Sequence, residues 1–565
     1  MRTRSSRLNN GYIGDYAPHD DVNGTVGLNK KYLVNEYSIE TTWERPSAWR
    51  QGPSVSLGEQ KIVITNAVYN TDNNFTAFTM TGNFSVDWGD GTTGSFASLA
   101  TASKNYDKTT YSGLTSGVFR GYKTLNIVIT PQAGATFNGS INFALKHPQS
   151  GLQSYYNNGY LEIIMSAPFA TGPITVSDTT FNNRSSSRLL EHFRWIGDSN
   201  LTSLGAAFIG CNNLKIISAF PSTRNCTDFQ SLFHTCHNLE WVPPSICETQ
   251  NATNLAFMFF LCNSLKKVPG TFNTSKATFI TQLFQDCGML KRIPYLDTSK
   301  ATGANMAGLF AGCYSLEEIG TPVIDAVSAT SLGSLFSQCR NLKNFPKIIN
   351  TQNITNFSSM FLQCACLEIV PFINTTSGTL FNDMFNTANI KGFDSEWGNT
   401  FSMPNATNTS NMFRFCRKLE RVPNTFNTGA TLTTANAMFY ECYSLLNCPT
   451  INLTGVTNTS EMFYNCRAIK EIPNIQLRTN ATPNYTNMFF QNWSLSSCGI
   501  SGFTGANVDF SNCSLGATAL NQIYTNLGTV GASGAGARTI TVTGNWGTAT
   551  DTPAIAIGKG WTVTG

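Results

Sequence analysis

Hydrophobic positions fall three apart along most of this chain. In MFFLCNSLKKVPGTFNTSKAT (residues 258–278) the apolar frame is Phe259, Cys262, Leu265 and Val268, closed by Pro269. The frame returns at Phe233-Cys236-Leu239-Val242-Pro243, Phe284-Cys287-Leu290-Ile293-Pro294, Phe310-Cys313-Leu316-Ile319, Phe336-Cys339-Leu342-Phe345-Pro346 and Phe361-Cys364-Leu367-Val370-Pro371. It is written again at Phe413-Cys416-Leu419-Val422-Pro423, Phe439-Cys442-Leu445-Cys448-Pro449 and Phe463-Cys466-Ile469-Ile472-Pro473. With Phe208, Phe385 and Phe489 the slot phenylalanines number twelve, most of them 25 or 26 residues apart. Phe385 and Phe489 head worn copies without the cysteine, Asn492 filling the second slot.

A spacing of three does not suit a strand, whose inward positions are two apart. It predicts a turn of α- or 3₁₀-helix across Phe-x-x-Cys, then a short strand ending at the proline. An alternating parallel β-helix is disfavoured for the same reason. One copy cannot fold alone. Its apolar side chains gain roughly 6–12 kcal/mol on burial, against about 1–2 kcal/mol per residue of backbone entropy over some 25 residues. Copies therefore stack, sharing one core and one hydrogen-bond ladder. The fold class is mainly β with short helical turns, a solenoid of about twelve repeats preceded by a β-sandwich-like domain.

The motif MFxxCxxLxxIPxxxTSxxTN over residues 200–497 resembles the BspA-type leucine-rich repeats of bacterial surface adhesins and their bacteriophage relatives. The resemblance implies protein or glycan binding without catalysis.

Outside the repeats, residues 1–50 form an irregular arm containing WERPSAW, read either as a linker or as a segment docking on another virion protein through Trp43, Arg45 and Trp49. Residues 51–150 run in β-formers between turns. Their VDWGDGTT stretch carries the hairpin signal Asp90-Gly91 and resembles the WGDGT turn of PKD-like modules; its order after WERPSAW resembles predicted phage structural proteins. Asp87 and Asp90 are the oxygen ligands for a calcium reading, but EF-hand spacing is missing and a turn is preferred. Residues 151–200 supply leading irregular rungs, 201–510 the solenoid, and 511–565 a strand–helix–strand cap with Asp551 as a helix N-cap.

Composition narrows the function. Only 12% of the 565 residues are charged and the net charge is +4, so no nucleic-acid footprint exists. No apolar run reaches membrane-spanning length, and MRTRSSRLNNGYIGDY lacks the apolar region of a signal peptide. Ten of the sixteen cysteines occupy the repeat slot; stacked in register they suit buried, reduced thiols better than disulfides. His234, Cys236 and His237 lie close in sequence, but Cys236 belongs to the core slot and its neighbours project elsewhere. No metal, cofactor or catalytic motif is expected. Charges gather just after the ladder leucine, as Glu240-Trp241, Lys266-Lys267, Lys291-Arg292 and Glu317-Glu318. This stripe is a solvated face or a binding surface for an acidic or glycan ligand, with Trp241, Lys266, Lys267, Lys291 and Arg292 as its richest patch.

The expectation is a non-enzymatic bacteriophage virion protein, a tail fibre, spike or decoration protein. It would be made in the host cytoplasm without a signal peptide and exposed on the particle for recognition of a host surface protein or glycan, with a trimer as one oligomeric form. A purely architectural capsid or tail component and a glycan depolymerase are the alternatives.

Overall fold

The computed structural model describes residues 43–72, 74–145, 158–167, 174–176, 187–293, 295–303, 306–478, 483–530 and 538–565. Most of the expected arm, Pro294 and the glycine-rich stretch 531–537 lie outside the described residues.

The N-terminal part is two packed sheets. Strands β1 (Lys61–Tyr69), β2 (Asn74–Met80), β3 (Phe84–Asp87), β4 (Thr93–Phe96) and β5 (Ala102–Tyr106) precede the short helix α1 (Lys108–Gly113). Then come β6 (Tyr122–Pro131), β7 (Ile141–Asn142), β8 (Tyr160–Ser166), β9 (Ile174–Thr175), β10 (His192–Ile196) and β11 (Ile216–Ala219). The larger sheet has the order β11-β10-β8-β1-β6-β3-β4 and the smaller β5-β2-β7-β9. Ile62, Ile64, Phe78, Phe84, Trp88 and Ile127 fill the space between them. The Asp90-Gly91 hairpin joins β3 to β4, with Gly89 and Gly91 at φ 77° and 88°, where a side chain would be strained.

Two segments expected as leading rungs are strands of the larger sheet. β8 runs antiparallel to β1 and parallel to β10, which is parallel to β11. β11 then bridges to Trp241 in the first repeats. The sandwich and the solenoid thus share one hydrogen-bonded surface and one hydrophobic core, from Ile62 to Trp561.

The solenoid makes about fourteen turns. Slot phenylalanines stack ring on ring from Phe208 to Phe489, with centroids 5.2–6.3 Å apart. A thirteenth slot follows at Phe510-Cys513, where Phe510 stacks 4.6 Å from Phe489. Its step of 21 residues falls outside the 25–26 period, which hid it in the sequence.

The Phe-x-x-Cys segment is not helical, contrary to the spacing argument. Alternate amides turn inward and outward. Met258, Phe260 and Cys262 donate to carbonyls three residues back, while Phe257, Phe259 and Leu261 donate to Thr281, Leu283 and Gln285 of the next rung. This alternation places Phe257 and Leu261 in the left-handed region, both at φ 59°. The same pair of positions is left-handed in the other repeats, as at Ser334 and Gln338, Asn411 and Phe415, or Glu461 and Asn465. A left-handed non-glycine residue costs about 1–2 kcal/mol; the inter-rung bonds that the conformation permits offset it. Helix periodicity was mimicked by a different hydrogen-bond pattern.

Each slot thiol adds another link between rungs. Cys262 Sγ donates to the Phe233 carbonyl at 3.2 Å, Cys339 to Phe310 at 3.1 Å and Cys416 to Phe385 at 2.9 Å. All sixteen cysteines are free. The Asn/Thr-rich links are used the same way. Thr253, Thr355, Thr379, Thr407, Thr433 and Thr457 each turn a hydroxyl onto the matching threonine carbonyl one rung back. Asn356, Asn408 and Asn458 accept from the amide two residues on, closing Asx turns.

The far end is closed by helix α2 (Ala517–Asn526), which buries Leu520, Ile523 and Tyr524, and by parallel strands Val508–Asp509, Arg538–Thr541 and Trp561–Thr564. Asp551 is not a helix cap. It accepts the Tyr524 hydroxyl at 2.6 Å, and the short helix α3 (Ala554–Ile557) starts after Pro553 without a side-chain cap.

Candidate functional site

The charged stripe is assembled as its spacing requires, one pair per rung. Backbone bonds from Glu240 to Lys215, from Lys266 to Glu240 and from Glu317 to Lys291 set the register. That register also sets opposite charges side by side. Lys266 Nζ lies 2.6 Å from Glu240, Lys291 3.9 Å from Glu317, Arg292 3.3 Å from Glu318, and Lys391 2.9 Å from Glu368. Trp241 and Lys267 are half-buried. The patch is therefore an ordered mixed-charge surface instead of a basic one, and such exposed pairs add about 0–1 kcal/mol each.

A second face was not singled out in the sequence. The residues one and four places after each slot phenylalanine form two adjacent files. Toward the C-terminal end they become aromatic and arginine: Arg414 and Arg417, Tyr440 and Tyr443, Tyr464 and Arg467, Phe490 and Trp493. The Arg414 guanidinium sits 4.8 Å from the rings of both Phe415 and Tyr440. Arg467 lies between Tyr443 at 4.4 Å and Trp493 at 4.6 Å. Tyr440 and Tyr464 stack at 4.6 Å. Arg417 pairs with Glu441 at 2.7 Å, whereas among the described residues neither Arg414 nor Arg467 meets a carboxylate. Sandwiched guanidinium groups keep few rotamers and retain free donors at their edges, which suits them to recognise anionic or polar partners. Trp493 is 50% exposed and Trp546 80% exposed, the latter held by its indole N–H on the Ser514 carbonyl at 3.0 Å. The signal was available in FRFCR, FYECY, FYNCR and FFQNW, once these are read as files across rungs instead of along the chain.

The expected docking residues are engaged within the chain. Trp49 is buried against Ala67, Tyr122 and Leu161, on the outer side of the larger sheet. Its indole N–H reaches the Tyr122 hydroxyl at 3.3 Å. Arg45 pairs with buried Glu162 at 2.8 Å, and Trp43 donates to Glu191 at 3.3 Å. Trp49 is thus covered within its own chain and shields Ala67 on the outer side of β1.

Asp87 and Asp90 cap their own turn. Asp87 accepts the Gly89 amide at 2.9 Å; Asp90 accepts the Thr92 amide at 3.0 Å and pairs with Lys104 at 2.9 Å. Partial burial would raise the Asp90 carboxyl, but these partners outweigh it and hold it below the usual range. The Cys236 thiol points to the Phe208 carbonyl, His237 to Leu261 and Asn263, and His234 stacks on Phe260 at 4.8 Å. Burial lowers the His234 imidazole. Among the described residues no three His, Cys, Asp or Glu side chains gather as metal ligands, and no helix is long and apolar enough to cross a membrane.

No curated protein matches the chain. The family described as Mycoplasma protein of unknown function, DUF285, matches residues 202–322, 330–450 and 399–503, which is over half the chain and coincides with the stacked rungs. The match and the solenoid are compatible with BspA-type repeats. This chain belongs to the DUF285 family.

Proposed function

We propose that this protein is a recognition component of a bacteriophage particle, in which the repeats form a non-enzymatic binding surface for a host or partner molecule. The observation that carries the reading is the contrast between inside and outside. The interior of each rung repeats the same Phe, Cys and Leu packing, while the outer files change along the array and end in arginines held between aromatic rings. A stiff scaffold that varies only at its outer positions is suited to binding, because ordering costs are met on folding instead of on association. The resemblance to phage structural proteins around WERPSAW and VDWGDGTT supports the particle assignment.

Competition tests the reading. Purified full-length chain should block adsorption of the particle to its host, and the combined Arg414→Gln, Arg467→Gln and Trp493→Ala variant should lose the block while keeping its melting behaviour. A wild-type chain that never competes, with the repeats packed among other subunits in an image of the particle, overturns it.

A further inference from the structure

A second chemistry sits away from the repeat files, on the outer face of the larger sheet. Glu162 on β8, His192 on β10 and Ser218 on β11 lie on three neighbouring strands. Glu162 Oε1 is 2.9 Å from His192 Nδ1, and His192 Nε2 is 2.6 Å from Ser218 Oγ. The sheet register explains the alignment. β8 and β10 pair Glu162 directly with His192. Between β10 and β11 the register slips, Phe193 facing Ile217 and Arg194 facing Ala219, which leaves Ser218 unpaired. Such a bulge re-aims one side chain, here onto the imidazole.

The electrostatics give the relay a direction. A carboxylate against Nδ1 keeps the ring proton there and leaves the Nε2 lone pair toward the hydroxyl. Burial alone would raise the Glu162 carboxyl, but its bonds to His192 and Arg45 outweigh that and hold it below the usual range, so it is ionised at neutral pH. The Trp43 ring lies 4.7 Å from the imidazole and fixes its plane. Ser218 is only half-buried. The next residue, Ala219, lines a groove of about 530 Å³ together with Ser56, Leu57, Arg194, Gly197 and Phe220, so that Ser218 adjoins the groove without lining it. Arg194 follows His192 by two positions on the same strand face, is paired in register with Ala219, and its guanidinium meets no carboxylate among the described residues.

We propose that Ser218, half-buried beside this groove, is an activated nucleophile toward a small acyl ester. Ser218 Oγ attacks the ester carbonyl carbon as its proton passes to His192 Nε2, with the Arg194 guanidinium beside the developing oxyanion. The carbon–oxygen bond to the leaving alcohol breaks, and that alcohol takes the proton from His192. Water, deprotonated by His192, then cleaves the acyl–Ser218 ester, releasing a carboxylic acid and restoring the hydroxyl. Glu162 is a positioning residue. The activity is independent of the binding role assigned to the repeats.

Full-length protein should react with a fluorophosphonate, losing fluoride and gaining one phosphonyl group that peptide mass analysis maps to Ser218. It should also hydrolyse p-nitrophenyl acetate. Ser218→Ala should abolish both, and His192→Gln should slow both by roughly 10²–10⁴-fold. Glu162→Gln should lower kcat and shift the pH profile of whatever rate remains. Ser218→Ala removes one half-buried hydroxyl, so a native circular dichroism spectrum is expected and shows that the loss is chemical. Absence of an adduct in the folded wild type, an adduct elsewhere, or turnover that survives Ser218→Ala would reduce the relay to a strut in the sheet and overturn the proposal.

Discussion

Replacing the buried thiol in one central rung measures how tightly the array is packed. Cys339 is fully buried and its Sγ donates to the Phe310 carbonyl at 3.1 Å. Cys339→Ala removes one large atom, worth about 0.8 kcal/mol of transfer energy. A residual void of roughly 25 Å³ at ~24 cal/mol per Å³ adds about 0.6 kcal/mol. The thiol hydrogen bond adds at most about 0.5 kcal/mol, the low end for a neutral bond. Phe310 O also accepts the Cys313 amide at 3.2 Å, so no carbonyl is orphaned. The sum is about 1.5–2 kcal/mol, a fall of roughly 0.5–1 M in urea midpoint.

Cys339→Ser then separates volume from hydrogen bonding. A hydroxyl is the better donor to the same carbonyl but the worse apolar filler. Ala388 occupies this slot in the Phe385 rung without any donor, fully packed, so volume is the controlling term and serine should do no better than alanine. Cys366→Ala, half-buried and off the frame, should stay within about 0.5 kcal/mol. Urea titration followed by tryptophan fluorescence reads all three variants. A Cys339→Ala midpoint equal to wild type would refute the close-packed ladder, and a serine variant clearly above alanine would show that the bond to Phe310, not volume, is the controlling term.

The native chain should give Cys366 most readily to a thiol reagent, and all sixteen after denaturation; burial pushes the Cys448 thiol well up and Cys226, Cys498 and Cys513 up to about 12, cutting the thiolate of these three at pH 8 by roughly 10³-fold relative to a free cysteine. Gly429→Ala should cost about 2 kcal/mol or more, measured by urea titration, because its Cβ would lie 2.0 Å from the Pro404 carbonyl oxygen of the neighbouring rung. Glu162→Gln should cost about 3 kcal/mol at neutral pH by breaking a buried charge network. Because the folded-state Glu162 carboxyl is depressed, that stability is present above its unfolded pKa and lost as pH falls through the folded one. The gap between wild type and variant should therefore narrow in acid denaturation series.

The interior was legible in the sequence because one slot makes one demand. A phenylalanine, a cysteine and a leucine three apart could only be repeated core positions, and their stacking followed. The local conformation was not legible, since nothing in Gln338 or Glu441 announces φ of 62° or 55°; the cross-rung amide bonds impose it. Trp49 reads the same in sequence whether it covers a sheet or docks a partner. Only the β1–β6–β8 surface, lying 12 to 117 residues further along the chain, decides that it is buried. The Glu162, His192 and Ser218 alignment depends on a one-residue slip between β10 and β11, which no local pattern encodes.

The uneven use of polar residues bears on where recognition resides. Threonine and asparagine, which make the chain so poor in charge, are bound up in carbonyl bonds and Asx turns between rungs. Many of the stripe charges, from Glu240 to Glu318 and at Glu368 and Lys391, are matched across the same ladder. Subtracting both leaves little exposed chemistry that the fold does not already use. What remains is concentrated in the last rungs, where Arg414 and Arg467 lie between aromatic rings and Trp493 and Trp546 face solvent. In the middle of the array the corresponding positions are Ala311 and Tyr314, Ser337 and Arg340, and Leu362 and Ala365, where one guanidinium, that of Arg340, lies 5.0 Å over the Tyr314 ring. The C-terminal cluster is the larger of the two, so a ligand that binds the solenoid through side-chain chemistry should engage that end, and Arg340→Gln in the middle rungs should leave such binding intact.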